Sequence, residues 1–177
     1  QGDHEQALVH YEQALAFAEQ TGDRNSESFL LSNLGSLNLR RGNFEAAERH
    51  FSRALILARM TGNNDRLIIL LGNLGLLRAK LGQSQAAEEA FLEVLQKARA
   101  LQLRRQEAVA LINLGDLAWT ARRIEDALTY FEETLEVSEQ IGFRHLAGVA
   151  HARIGLAQAH RAETTQARRS LAKGEVI

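Results

Sequence analysis

Three asparagines recur at intervals of 40 residues, each within the tripeptide Asn-Leu-Gly: Asn33, Asn73 and Asn113. A side-chain amide carries both a donor and an acceptor, so it can pair with the N–H and the C=O of a bound peptide together. The same amide could instead be buried in the fold, where it would need partners from the protein itself. The residues alone leave both interpretations open.

Side chains that could support catalysis or bind a metal are not grouped in the sequence. His4 is followed by Glu, as in the helix motif of zinc proteases, but residue 8 is Leu rather than His. His145 and His151 are six residues apart, and His151 and His160 are nine apart, so neither pair shares a helix face. The chain has no Cys, and its Ser residues form no Ser–His–Asp grouping. We therefore expect no enzymatic activity, no metal and no cofactor.

The composition excludes several classes of partner. The 177 residues carry a net charge of −1, so a general attraction to nucleic acid or to anionic lipid is not expected. No apolar run reaches the length of a membrane span. The chain opens with Gln1 and without a signal-peptide pattern, which indicates a fragment of a longer protein and, by default, a cytoplasmic location.

A 40-residue repeat organises the whole chain. Small and large apolar residues recur in register, as in the series Ala7, Ala47, Ala87, Ala127, Ala167 and the series Tyr11, Phe51, Phe91, Phe131, Leu171. Apolar steps of three and four predict two helices in each repeat. The predicted helices lie near 4–21, 25–40, 44–61, 65–80, 84–101, 105–120, 124–141 and 145–160, with a short ninth near 164–173. Gly42 and Asn43 predict a turn and an N-cap, and Gly62 a C-cap.

The repeated residues resemble the tetratricopeptide repeat. One copy reads Asn33-Leu34-Gly35, Gly42, Ala47, Phe51 and Ala54, and the resemblance covers nearly the whole chain. The repeat is 40 residues rather than the usual 34 and contains no Pro. It is therefore similar to the long-repeat class of kinesin light chains, Pins-type adaptors and many bacterial regulators.

This resemblance implies an all-α, right-handed superhelical solenoid of antiparallel helix pairs, with about four 40-residue repeats in one array over residues 1–177. The repeats would span about 1–22, 23–62, 63–102, 103–142 and 143–177. The first would hold only a second helix, and the last helix would be truncated.

The resemblance also explains the glycines that follow the asparagines. Gly35, Gly75 and Gly115 would stand where the two helices of a pair cross closely. A side chain there would overpack the crossing at a cost of roughly 1–3 kcal/mol. That exceeds the cost of about 1 kcal/mol for glycine inside a helix. A phosphate-binding loop is disfavoured, because no Lys-Ser/Thr pair follows.

In arrays of this family the first helices of the repeats line a concave groove. The asparagines would then form a ladder that holds a peptide backbone, similar to the ladder of O-GlcNAc transferase. Arg153 takes the fourth rung, and Trp119 could bind a ligand or pack between helix pairs. The Lys and Asn density of the heat-shock carboxylate clamp is absent. The candidate groove residues are Asn33, Asn73, Asn113, Leu76, Ile112, Asp116, Trp119, Arg153, Arg40 and Lys80.

We therefore expect a protein–protein interaction module, with a scaffold, adaptor or regulatory role, that binds an extended or partly helical peptide of a partner. The alternative is a self-association or spacer element of a larger signalling or transcription-regulatory protein, which would form a homo-oligomer through its exposed end helices. A sensor that changes its superhelical pitch on binding a small peptide is a third possibility. Neither nucleic acid nor a membrane is an expected partner.

Overall fold

The structure is a computed structural model that describes the backbone of residues 2–174 and the side chains of this range except those of 2–5, 7, 163 and 165–174. All regular secondary structure within these residues is helical. The helices are α1 (Gly2–Thr21), α2 (Arg24–Arg40), α3 (Phe44–Thr61), α4 (Asn64–Lys80), α5 (Ser84–Ala100), α6 (Arg104–Thr120), α7 (Ile124–Gln140) and α8 (Arg144–Gly174). The predicted all-α class is confirmed.

Capping side chains and left-handed glycines set the helix ends. Asp23 caps α2 by accepting from the N–H of Ser26 at 3.1 Å, and bonds from Ser26 lower the pKa of this carboxyl below its usual value. Asn63 caps α4 by accepting from the N–H of Arg66 at 3.0 Å. Gly62 ends α3 at φ 66°, as predicted. These short turns make successive helices antiparallel neighbours.

Two turns hold a bulky residue in the left-handed conformation. Gln102 has φ 55° and Arg122 has φ 62°. Glycine occupies the equivalent positions of other repeats, as in Gly62 and Gly82, and adopts the same region there. The repeat geometry therefore imposes the left-handed turn even where the sequence carries a residue that it does not suit.

The prediction of a ninth helix is wrong. The sequence predicts a break near residue 162 and a ninth helix at 164–173, whereas α8 continues unbroken to Gly174. Ala162, a strong helix former, stands at the position that Gly42, Gly82 and Arg122 hold in the turns of the earlier repeats. Asn43 is the N-cap residue of α3, as predicted. Its side chain makes no capping bond, and its amide donates to Asn38 Oδ1 at 3.3 Å. The repeat positions assigned to Ala167 and Leu171 lie outside the described side chains.

The chain forms two compact units, Gln1–Val94 and Leu95–Ile177, and the boundary falls within α5. The core of the N-terminal unit is built around Phe51, with Leu31, Ala47, Ala54, Ala58, Leu70, Leu74 and Leu77. In the C-terminal unit the equivalent Phe131 is fully buried, together with Leu111, Leu114 and Ala127. The residues that recur every 40 positions therefore supply the core of each unit.

The recurrent glycines lie against the recurrent phenylalanines. A methyl group at Gly75 would stand 2.5 Å from Cε1 of Phe91, far inside van der Waals contact. The same close approach joins Gly35 to Phe51 and Gly115 to Phe131. The close crossing predicted at these three glycines is confirmed. The crossing holds the first helix of each of these pairs in a fixed rotation, so that the side of the helix away from the phenylalanine faces outward.

Candidate functional site

The predicted groove residues lie on adjacent faces of the first helices in each unit. In the N-terminal unit, the α2/α4 face comprises Phe29, Asn33, Ser36 and Arg40 of α2 with Ile69, Asn73, Leu76 and Lys80 of α4, all in helical register. The amide Nδ2 of Asn73 lies 3.4 Å from Ser36 Oγ, which places the two helix faces side by side. In the C-terminal unit, the α6/α8 face comprises the equivalent residues Val109, Asn113, Asp116, Thr120, Val149, Arg153, Leu156 and His160.

The asparagines of these faces differ from an asparagine that serves packing. All three are half-buried, and among the described residues the side chains of Asn33 and Asn113 have no hydrogen-bond partner. Asn73 has only its long bond to Ser36. Asn38, by contrast, is buried, donates to Leu34 O at 2.9 Å and accepts from Asn43. The groove amides therefore keep donor and acceptor capacity that the packing asparagine has used.

One register position of the first helices carries an exposed apolar side chain in three successive repeats. Phe29 is 45% exposed, Ile69 44% and Val109 42%. Leu76 is exposed as predicted, but Ile112 is only 7% exposed and offers almost no surface to a ligand. Ile112 shares the register of the buried Ser32, and this position points into the fold rather than out of it.

The α6/α8 face neutralises its own charges. Arg153 Nε lies 2.7 Å from Asp116 Oδ1, and the two side chains remain partly exposed. The ring of Trp119 meets that of His160 edge-on, with centroids 5.5 Å apart. Trp119 thus packs between α6 and α8 and stays half-buried, so part of its ring remains open to solvent.

The cations of the α2/α4 face have no such partner. Arg40 and Lys80 are exposed, and neither forms an ion pair within the described part of the chain. The guanidinium of Arg66 lies 4.7 Å from the centre of the Phe29 ring, within cation–π range. This face therefore combines exposed apolar, amide and cationic groups.

A second cluster, which the sequence reasoning missed, surrounds two buried glutamates. In the N-terminal unit, Arg53 Nη2 binds Glu27 Oε1 at 2.5 Å and Glu19 Oε1 at 2.7 Å. Exactly two repeats later Glu107 replaces Glu27, whereas Leu67 fills that position in the repeat between them. The spacing of these two glutamates was the signal that could have revealed the cluster.

The charges of the equivalent pair are inverted in the C-terminal unit. Arg99 Nη2 binds Glu133 Oε2 at 2.6 Å, in the register of Glu19 and Arg53. Glu107 accepts from Arg99 Nε at 3.0 Å and from Arg104 Nη1 at 2.8 Å, and the bond to Glu107 raises the pKa of Arg99 above its ordinary value. These residues and Gln102 line an open cleft of about 580 Å³. Since every charge here is paired, the cluster joins helices rather than presenting a reactive group.

Among the described residues, no three His, Cys, Asp or Glu side chains stand close enough to hold a metal ion. None of the described helices combines the length and apolar character needed to cross a bilayer.

Comparison with known proteins identifies the fold. Models of the tetratricopeptide repeat match residues 1–59, 26–100 and 108–141. A sequence search of curated proteins gave no significant match.

Three solved structures illustrate the likeness in three dimensions. BtubC (BKLC) of P. vanneervenii matches with a TM-score of 0.73 at 21% identity, over 98% of this chain and 75% of that one. Aspartyl phosphate phosphatase F of Bacillus subtilis matches with a TM-score of 0.83 at 16% identity, over 97% of this chain and 46% of that one. A putative kinesin light chain of Podospora anserina, with nearly identical repeats, matches with a TM-score of 0.69 at 15% identity, over 99% and 90%. Identities this low establish the fold alone.

Proposed function

Because this chain belongs to the tetratricopeptide-repeat family, whose arrays are protein-interaction scaffolds, we propose that it binds a peptide segment of a partner protein in the concave groove lined by its first helices. The segment is extended or partly helical. The proposal rests on one observation. Half-buried asparagine amides with free hydrogen-bonding capacity and exposed apolar side chains occur on the same helix faces, at fixed positions of successive repeats.

The amides bind the backbone of the ligand. Asn33 and Asn113 each retain a donor and an acceptor, and a peptide unit supplies the complementary pair. Asn73 can exchange its 3.4 Å bond to Ser36 for a shorter one to the ligand. Because these contacts ignore side chains, they set the path of the ligand rather than its sequence.

The apolar side chains supply most of the contact area. Phe29, Ile69 and Leu76 on one face, and Val109 and Leu156 on the other, are all exposed. A flexible segment loses conformational entropy when it docks, so its dissociation constant is expected at about the micromolar level. In this proposal the chain is a non-catalytic adaptor.

Peptide-display selection tests the proposal. Wild-type protein and the variant Asn73→Ala/Asn113→Ala are each panned against a random peptide library, after circular dichroism has shown equal helicity. The matched control is Asn64→Ala/Gln96→Ala, which removes two exposed amides that lie outside the faces. We expect peptides to enrich on wild type and on the control but not on Asn73→Ala/Asn113→Ala. If binding survives that change, the amides do not hold the ligand.

Self-association is a second candidate function, and α1 favours it. Phe17 is 68% exposed and Val9 49% exposed on this helix. Burial of such side chains against a second copy would recover hydrophobic free energy. Light scattering over a concentration series would then show a rise in mass that Phe17→Glu abolishes. A constant monomer mass would exclude this candidate.

A further inference from the structure

We infer that α1 of one copy of this chain packs against α8 of a second copy, so that the copies associate head to tail. This inference rests on self-association, the second candidate function above, and names the surface that α1 contacts. The helix faces involved are different from the α2/α4 and α6/α8 faces proposed for peptide binding.

One side of α1 is exposed although the same register is buried in other repeats. Ala14 is exposed, whereas Ala54 at that register is fully buried. Phe17 is exposed, whereas Val137 at its register is buried. In a complete pair this side packs on the first helix of the repeat, as where Ser28 Oγ of α2 donates to Ala54 O at 3.0 Å. The open face of α1 comprises Tyr11, Ala14 and Phe17.

One side of α8 is exposed in a complementary way. Gly155 has no atom within 4 Å of the position that a Cβ would take, whereas Gly115 at the same register lies against the ring of Phe131. His151 is exposed where Leu111 is fully buried. Because α8 continues without a turn, the described part of the chain places no second helix on this side. The open face of α8 comprises His151, Gly155 and Gln158.

The two open faces correspond to the two halves of one helix pair. Tyr11 stands at the register of the buried phenylalanines, so its ring would lie against Gly155 when α1 packs on α8 of another copy. Tyr11 also carries a hydroxyl, which needs a hydrogen-bond partner once it is buried. His151 and Gln158 lie beside Gly155 by helical spacing, and either side chain can supply that partner.

The repeat register indicates a second copy as the occupant. A helix that fits the open face of α8 needs an aromatic ring and small residues at the spacing of the second helices, and α1 has both on its exposed side. Burial of apolar side chains such as Phe17 would stabilise the contact. Since the two faces differ, each pair of copies leaves one face of each kind free, and association continues beyond two copies.

Two variants block the two faces separately. Gly155→Trp places a bulky side chain on the open face of α8, and Ala14→Arg places a charged one on the open face of α1. Both positions are exposed, so each variant should keep the helicity of wild type in circular dichroism. The matched controls are His145→Trp and Ala16→Arg, whose registers are exposed in all four described repeats.

Light scattering over a concentration series measures the mass of each protein. We expect wild type and both controls to exceed twice the monomer mass, and each blocking variant to remain monomeric. An equimolar mixture of Gly155→Trp and Ala14→Arg should reach twice the monomer mass and no more. In that mixture only α1 of the first variant and α8 of the second are free to pair.

The outcomes separate this inference from the proposals beneath it. If wild type associates and either Gly155→Trp or Ala14→Arg associates equally well, head-to-tail packing is wrong, while self-association through another surface stands. If wild type remains monomeric at every concentration, both the inference and self-association are wrong. Neither result bears on peptide binding, which the asparagine variants test by themselves.

Discussion

Two glycines of α4, three residues apart, should respond in opposite ways to the same substitution. Gly72 has no atom within 4 Å of the position that a Cβ would take, so Gly72→Ala gains helix propensity and should stabilise the fold by about 1 kcal/mol. At Gly75 the Cβ would lie 2.5 Å from Cε1 of Phe91, a ring that is buried. Overpacking of roughly 1–3 kcal/mol offsets or exceeds the same gain, so Gly75→Ala should be destabilising by up to about 2 kcal/mol net.

Urea and thermal unfolding, followed by circular dichroism at the helical band, measure the two variants. A separation of about 1–3 kcal/mol corresponds to melting temperatures roughly 2–12 °C apart for a chain of this size. Phe91→Leu, which shortens the clashing ring, should reduce the loss caused by Gly75→Ala in a double-mutant cycle. If Gly75→Ala stabilises the protein as much as Gly72→Ala does, the close crossing does not explain the recurrent glycine.

Four further measurements follow from individual residues. Ser138→Ala should raise the free energy of unfolding by about 1 kcal/mol, because its buried hydroxyl has no partner among the described residues. Arg122→Gly should stabilise by up to about 1 kcal/mol by relieving its left-handed φ of 62°; a loss would contradict this. Glu107→Leu should change stability by less than about 1 kcal/mol, because Leu67 fills the same register; a large loss would show that the ion pairs are needed. Burial, and then neighbouring positive charge, lowers the pKa of His50 below 6.5. The unfolded chain therefore binds more protons as the pH falls, so stability should drop below about pH 6.5 in thermal melts, and His50→Gln should reduce that drop.

The fold could be predicted from the sequence because the same local pattern occurs in several repeats, and each occurrence supports the same assignment of helices. Phe51, Phe91 and Phe131 fall at one register, and their glycine partners do as well, so each repeat supports the assignment of the next. The length of α8 could not be predicted from the sequence. The residue at the expected turn, Ala162, is compatible with a continuous helix, and the sequence offered no other signal there. The proposed repeat boundaries at residues 22, 62, 102 and 142 stay a prediction.

The candidate site was only partly predictable. Helical register identified the stripe that holds Asn33, Asn73 and Leu76, because that depends on local geometry alone. It placed Ile112 wrongly, since whether a flanking position is exposed depends on how closely the next helix packs. The ion pairs of Arg53 and Arg99 join different helices over long sequence separations, and no local pattern reports such contacts.

The inversion of charge between two equivalent ion pairs bears on how the chain avoids folding in the wrong order. Helices built from one repeated pattern have similar apolar surfaces, so α1 could dock where α5 belongs. That exchange would bring Glu19 against Glu133 and Arg99 against Arg53, replacing two attractions with two repulsions. Burial of apolar residues stabilises the packing of any two helices, whereas the ion pairs stabilise only the native pairs of helices. A variant in which Arg99 and Glu133 are exchanged, so that both ion pairs have the same orientation, should therefore refold more slowly and with more mispaired helices.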